Sequence, residues 1–186
     1  NTTPNKKQLK IIYYAKPVIG EDEIKTNNYI NLEFDKNNNL IMLKNNYNSE
    51  IDSNNIYLTC SEKIKSYTGD KDFFLGNGGI SNPDGLYKHH LNNENCLGKN
   101  GCVAYEFDVE IDSFEEKEIS LIIGAEENNL DSKNTAYKYS KIEKCMEEFN
   151  IIKKYWEELL RKMPSKNSIG LYEYNTKWLG FISNFK

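Results

Sequence analysis

The sequence predicts a mainly β chain that forms an antiparallel β-sandwich and ends in helices. Segments rich in β-branched and aromatic residues, separated by asparagine-rich turns, fill the first two thirds of the chain. From about Ser132 the apolar residues recur at helical spacing instead. With 186 residues, of which 38% are hydrophobic and 28% charged, the chain is large enough to bury one core.

The strands of the first part are predicted from their composition and from the turns that bound them. Leu9–Ile19 is rich in Ile, Tyr and Val, and Asn55–Cys60 is a short strand of the same kind. Tyr29–Phe34 alternates apolar and polar residues, and Leu40–Lys44 follows it after the turn Asp35–Asn39. We therefore expect these last two strands to form a hairpin.

Two further strands are predicted after residue 100. Cys102–Ile111 places its apolar residues at alternate positions, which is typical of a strand with one exposed face. Glu118–Gly124 contains a continuous apolar run, which is typical of a strand buried on both faces. Because only the turn Asp112–Lys117 separates them, we expect the two strands to pair with each other.

The last part of the sequence predicts two helices. Ser140 and Glu143 suit the start of the first helix, and Pro164 suits its end. A second helix is expected at Leu171–Phe185, with Trp178 on its apolar face. We interpret the apolar stripe of the first helix as core packing and expect Trp178 to be structural as well. That stripe consists of Ile142, Met146, Phe149, Ile152, Trp156, Leu159 and Met163.

A glycine-rich loop follows Asp70, between the two groups of strands. Phe73, Phe74 and Pro83 can fix the base of this loop, and the glycines permit positive φ angles. One interpretation is a structural loop that closes the end of the sandwich; the other is a loop that contacts a carbohydrate or a partner. The candidate contact residues are Asn77, Gly78, Gly79 and Asn82.

Composition excludes several classes of function. The net charge of −4 and the pI near 5.4 argue against a nucleic-acid partner. No apolar run is long enough to span a bilayer, and the polar start Asn1–Lys7 leads into no signal peptide, so we expect a cytoplasmic protein without a membrane partner.

The cysteines are scattered along the chain, so we predict no metal site and no cofactor. A disulfide between Cys96 and Cys102 would close the loop, but in a cytoplasmic protein we expect reduced, half-buried thiols.

The order of residues around the loop resembles that of a known enzyme family. Gly69, Asp70, Phe74, Leu75, Gly76, Gly78, Pro83 and Leu86 are followed by Cys102 and Ala104. This pattern is similar to that of the inverting glycoside phosphorylases of family 94, also called glycosyltransferase family 36, which includes cellobiose phosphorylase and cyclic β-1,2-glucan synthase. Asn77 replaces the arginine of the family pattern, and Asn100-Gly101 replaces an Asp-Pro pair. Similar tryptophan motifs recur at Trp156 and Leu159, and at Asn175, Trp178 and Leu179.

The resemblance implies a fold of the supersandwich, galactose mutarotase-like type followed by two linker helices. Residues 1–128 would be the sandwich domain, corresponding to the latter half of the family's sandwich, and residues 129–186 the helical linker toward an (α/α)6 barrel. In the family that barrel carries the general acid. The resemblance therefore implies no catalytic residue in this chain and no enzyme activity on its own.

The function implied is that of a non-catalytic accessory portion of a glycoside phosphorylase or glucan synthase. Its partners would be the catalytic barrel, in the same protein or an adjacent chain, a second copy in a homodimer, and an oligosaccharide or glucan. The alternative is a free-standing carbohydrate-binding β-sandwich. A mutarotase-like enzyme ranks third, since the histidine and glutamate machinery of such enzymes is not evident in the sequence.

Overall fold

The computed structural model describes residues 1–20, 22, 24, 27–47, 55–98 and 100–162. In chain order the strands are β1 (Lys7–Ala15), β2 (Ile30–Asp35), β3 (Leu40–Asn45), β4 (Asn55–Cys60), β5 (Ser66–Asp70), β6 (Gly101–Ile111) and β7 (Leu121–Glu126). The helices are α1 (Lys71–Leu75), α2 (Asn129–Tyr139) and α3 (Ile142–Lys162). The sheets and α2 belong to one compact unit, Asn1–Cys145, and a second unit begins at Met146.

The strands form two antiparallel sheets. Sheet 1 has the order β1-β6-β5, and sheet 2 has the order β2-β3-β4-β7. The predicted hairpin is confirmed, because β2 pairs with β3 from Ile30–Asn45 to Asp35–Leu40. The predicted fold class, an antiparallel sandwich followed by helices, is confirmed as well. Strand β5 was not predicted, since Ser66–Asp70 is too polar and too short to show a strand pattern.

The main core fills the space between the two sheets. Alternate residues of the central strand β6 point inward and meet the apolar residues of sheet 2. The ring of Phe34 on β2 lies 4.9 Å from the ring of Tyr67 on β5, so these two strands face each other at one side of the sandwich. The buried inward residues of β6 are Val103, Tyr105, Phe107 and Val109.

Each sheet also has a covered outer face. The segment after β5 packs over sheet 1, where Phe74 and Leu91 contact Cys102 and Ala104 of β6. Helix α2 packs over sheet 2, where Ala136 meets Leu40 and Tyr57. The unit Asn1–Cys145 is therefore layered as loop, sheet 1, sheet 2 and helix α2.

The outer layers overturn two predictions about burial. Strand β6 is buried on both faces from Gly101 to Phe107, not half-exposed, because the loop covers its second face. Strand β7 is not fully buried: Leu121 is 49% and Ile123 61% exposed. Leu121 and Ile123 pair with Cys60 and Leu58 on the inner face, but sheet 1 has one strand fewer than sheet 2 and does not reach over β7.

The predicted pairing of these two strands is also wrong. Strand β6 lies between β1 and β5 in sheet 1, whereas β7 pairs with β4 in sheet 2. The connection Asp112–Lys117 and the residues after it pass from one sheet to the other, and Ser61 N donates to Ser120 O along the way at 3.0 Å. A short connection can thus join different sheets as well as neighbouring strands.

On the apolar stripe of α3, Met146 and Phe149 are 48% and Trp156 is 50% exposed. Because Met163 and the second predicted helix are not among the described residues, core packing of this stripe stays a prediction. The second predicted helix, Leu171–Phe185, and the predicted helix end at Pro164 lie outside the described residues. In the described part of the chain, no helix is long and apolar enough to cross a membrane.

All four cysteines are free, so Cys96 and Cys102 form no disulfide. Three of the four are fully buried and not half-buried: Cys60, Cys96 and Cys102.

Candidate functional site

The candidate site is the loop between α1 and Leu91, which covers sheet 1. Asp70 caps α1, because its carboxylate accepts a hydrogen bond from Phe73 N at 3.0 Å. This turn directs Phe74 onto the sheet, where its buried ring stacks on Tyr14 with centroids 5.0 Å apart. The start of the loop is therefore anchored to sheet 1 by a buried aromatic residue.

The carboxylate of Asp84 closes the loop by bonding the backbone of Asn77, seven residues before it. Asp84 Oδ2 accepts a hydrogen bond from Asn77 N at 3.2 Å. Gly76 has a φ of 54°, and a Cβ at that position would lie 1.8 Å from Asp84 Oδ2. Only glycine fits there, both for its φ and for the space it leaves to the carboxylate. We call this arrangement of Gly76, Asn77 and Asp84 the carboxylate clamp.

The clamp presents the predicted contact residues toward solvent. Asn77, Gly78 and Asn82 are exposed, and Gly79 is half-buried. Gly78 lies next to Asn82, since a Cβ on Gly78 would be 3.6 Å from Asn82 Nδ2. The structure thus brings Asn77, Gly78 and Asn82 together, while Gly79 has no atom within 4 Å of its Cβ position.

The loop also exposes apolar side chains. Ile80 is 71%, Leu86 46% and Tyr87 75% exposed. The hydroxyl of Tyr87 donates to Asn82 Oδ1 at 2.6 Å, which fixes the ring beside the amide. An exposed aromatic ring next to a primary amide can pack against a sugar ring and bond its hydroxyls. The same surface can also bind another protein domain.

The far end of the loop is held by a buried carboxylate. Glu106 lies on the outer face of β6 and is 1% exposed. Its Oε1 contacts His90 Nδ1, and Lys10 Nζ lies 3.8 Å from its Oε2. Next to it, Leu91 N donates to Ser66 Oγ at 2.8 Å. Both ends of the loop are therefore fixed to sheet 1, which makes the loop a rigid platform.

The thiol of Cys102 lies buried beneath the loop. Burial raises the pKa of Cys102 to about 12, so the thiol stays protonated at neutral pH. Asp70 and Asp84 act as a helix cap and a turn clamp. Among the described residues, no group of three or more potential ligands could hold a metal ion.

The sequence identified the exposed amides and the anchor Phe74, but not the polar contacts that hold the loop. The Asn-Pro-Asp-Gly turn indicated that Asp84 forms a turn, but not that it reaches back to Asn77. Tyr87 and the Glu106–His90 pair were not predicted at all. Glu106 is followed by Asp108 and Glu110 at the next outward positions of β6, so its charge gave no signal of that pair.

Fold and site together define a two-sheet β-sandwich domain that carries a rigid, amide-bearing loop on one outer face. The sequence model of the glycosyl hydrolase 94 supersandwich domain matches residues 1–142, from before β1 through α2. This chain therefore belongs to glycosyl hydrolase family 94, and the matched domain is a non-catalytic part of the family's enzymes. No curated protein gives a significant match to the chain. The family predicted from the loop motif is confirmed.

Proposed function

We propose that the chain is an accessory portion of a glycoside phosphorylase or glucan synthase and acts by supporting a catalytic barrel. In this proposal residues 129–186 lead toward the barrel, in the same protein or an adjacent chain. The support for it is the match to the family's supersandwich domain. The loop residues Asn77, Gly78, Gly79 and Asn82 contact the barrel or the glucan that the barrel processes.

The proposed contact role of the loop is supported by one observation. The amide of Asn77 makes no hydrogen bond to any other described residue, although its backbone is fixed by Asp84. An exposed amide on a rigid base is ready to bond a hydroxyl or a backbone group without loss of loop entropy. The exposed apolar side chains of the same loop would help to exclude water from such a contact.

The test uses the domain joined to its barrel. The double substitution Asn77→Ala, Asn82→Ala should raise the KM for the glucan roughly 30-fold, since each of the two lost hydrogen bonds costs about 1 kcal/mol. The matched control is Asn46→Ala, Asn134→Ala, which removes two exposed amides elsewhere in the same unit. Thermal unfolding must show both variants folded. Kinetics of the loop variant equal to those of the control would refute the contact.

A second candidate function is a carbohydrate-binding module that acts alone. The exposed ring of Tyr87, fixed beside Asn82, favours it, because aromatic rings and amides are common in sugar sites. Binding of an oligosaccharide by the 186-residue chain, lost in Tyr87→Ala, would support the module. Binding only when the barrel is joined would support the accessory role.

The remaining parts of the proposal concern activity, assembly and location. We expect the chain alone to release no glucose 1-phosphate from cellobiose or β-1,2-glucan with phosphate, and such release would overturn the proposal.

Homodimer formation is expected to be detectable by sedimentation. A cytoplasmic location fits four cysteines that form no disulfide, because disulfides are rare in that reducing compartment.

A further inference from the structure

A cavity of about 680 Å³ lies on the side of sheet 2, away from the loop that covers sheet 1. It is bounded by the turn between β2 and β3, the segment that follows β4, and the end of α2. Its volume falls within the range of small-molecule sites, roughly 300–1,000 Å³. The lining residues used below are Lys36, Asn37, Asn39, Glu62, Lys63 and Tyr137.

The cavity has a rigid floor built on Asn39. This residue has a φ of 53°, and its Nδ2 donates to Glu62 O at 2.8 Å. Its Oδ1 accepts from Ile64 N at 2.8 Å, and its carbonyl accepts from Thr59 Oγ1 at 2.7 Å. The turn and the segment after β4 are therefore fastened together before any ligand arrives, which lowers the entropy lost on binding.

The charges around the cavity leave it positive. Glu62 pairs with Lys117 at 2.8 Å, and Asp35, next to the lining turn, pairs with Lys133 at 2.8 Å. Lys36 and Lys63 form no ion pair within the described part of the chain. Two uncompensated ammonium groups in a chain of net charge −4 attract an anion to this place.

The other lining groups suit hydroxyls and a sugar ring. Asn37 offers an amide with both donors and an acceptor, and its side chain is exposed. The ring of Tyr137 is 68% exposed at the edge of the cavity. Inorganic phosphate would use the lysines alone, whereas a phosphorylated sugar would use the lysines, the amide and the ring together.

We propose that this cavity binds a phosphorylated sugar, with Lys36 and Lys63 on the phosphate and with Asn37 and Tyr137 on the sugar. The proposal goes beyond the accessory role and does not depend on the loop residues Asn77 and Asn82. It gives the domain a ligand site of its own, on the opposite outer face from the loop.

The test is a ligand titration of the isotope-labelled 186-residue chain, in which binding is measured from the NMR chemical shifts of the backbone amides. The probes are glucose 1-phosphate, glucose and inorganic phosphate, each at the same ionic strength. Glucose 1-phosphate should shift the amides of residues 37–39 and 63 with a Kd at least tenfold below the Kd of either other compound. Equal affinity for phosphate and glucose 1-phosphate, or no shift at these amides, would overturn the proposal.

Variants distinguish binding in the cavity from nonspecific effects of charge. Lys36→Gln, Lys63→Gln should weaken glucose 1-phosphate binding at least tenfold, and Tyr137→Ala should weaken it severalfold. The control Lys7→Gln, Lys153→Gln removes the same charge from exposed positions outside the cavity and should leave the Kd unchanged. An equal loss in control and cavity variants would refute the site. Asn77→Ala, Asn82→Ala should not change this titration, so failure here is distinct from failure of the loop's role.

Discussion

The two outer faces of the sandwich are covered in different ways. Helix α2 covers sheet 2 through a small residue, Ala136, and a helix bonds its own backbone. The loop covers sheet 1 through a large aromatic residue, Phe74, and depends on the side chains of Asp70 and Asp84 to bond its backbone. The helix buries its contact face, whereas the loop is anchored at a few points and leaves its remaining side chains free to bind. The difference shows how a domain can stabilise one face and present contacts from the other.

The largest effect is expected from the anchor of the loop. Phe74→Ala removes a ring that is 2% exposed and stacked on Tyr14, so the free energy of unfolding should fall by about 3–5 kcal/mol. Chemical denaturation measures this. The control Leu97→Ala, at a side chain that is 71% exposed, should change stability by less than about 0.5 kcal/mol. A loss for Phe74→Ala no larger than that of the control would show that the loop does not depend on this anchor.

The fit of the loop against its anchor can be tested with glycines. A Cβ on Gly85 would lie 2.4 Å from Phe74 Cδ2, so Gly85→Ala should destabilise the domain by about 1–3 kcal/mol through overpacking. A Cβ on Gly78 would meet its nearest atom at 3.5 Å, so Gly78→Ala should be tolerated. Thermal unfolding of the pair measures the difference. Equal melting temperatures would mean that the loop can shift away from Phe74.

Helix α2 is also tied to sheet 2 by an ion pair between Lys133 and Asp35. A hydrogen bond from Lys133 lowers the pKa of Asp35 to about 2 from its ordinary 3.8, and the carboxylate is 16% exposed. The depressed pKa adds stability above pH 3.8 that is lost as the pH falls toward 2. Asp35→Asn should therefore cost about 2 kcal/mol at neutral pH.

The ion pair is tested by measuring the free energy of unfolding of the parent and of Asp35→Asn across the acid pH range. The difference between parent and Asp35→Asn should shrink between about pH 4 and pH 2, because the parent loses the ion pair there. A difference that is constant with pH would show that the carboxylate contributes through shape alone. Lys133→Gln should reproduce the neutral-pH loss, since it removes the same pair.

The smallest effect is expected on the inner face of β7, which neither sheet 1 nor a covering segment reaches in the described part of the chain. Ile123 is apolar and lies in a strand, yet it is 61% exposed. Ile123→Lys should change the free energy of unfolding by less than about 0.5 kcal/mol, whereas Ile41→Lys, at a fully buried position of β3, should prevent folding. Circular dichroism melts distinguish the two. A large loss for Ile123→Lys would indicate that its strand is covered in solution.

Local patterns predicted which residues form strands, but not what lies above those strands. The alternation of Val103, Tyr105 and Phe107 correctly identified the inner face of β6. The outward residues Cys102 and Ala104 are small, and Glu106 is charged, so they resembled a solvent face. Their burial comes from the segment between Phe74 and Leu91, and no property of the strand itself encodes that contact.

The opposite error occurred at β7. Its continuous apolar run predicted burial, but burial also requires a strand in the facing sheet, and sheet 1 ends before it reaches β7. The exposed amides of the loop could be predicted, because glycine and asparagine have specific roles in turns. The clamp from Asp84 to Asn77 could not, since hydrogen bonds across seven residues depend on the folded path of the chain.

The carboxylate clamp has a consequence for how such a domain can diversify. Asp84 and Gly76 fix both ends of the short segment between them, and Phe74 secures that base to the sheet. Mutations within residues 78–83 can therefore alter what the loop touches while the folding of the sandwich is left intact. Exposed loops on fixed scaffolds are the sites where substitutions and insertions are best tolerated. For protein engineering, this segment is the natural place to graft new sequences, with Gly76 and Asp84 kept as the frame.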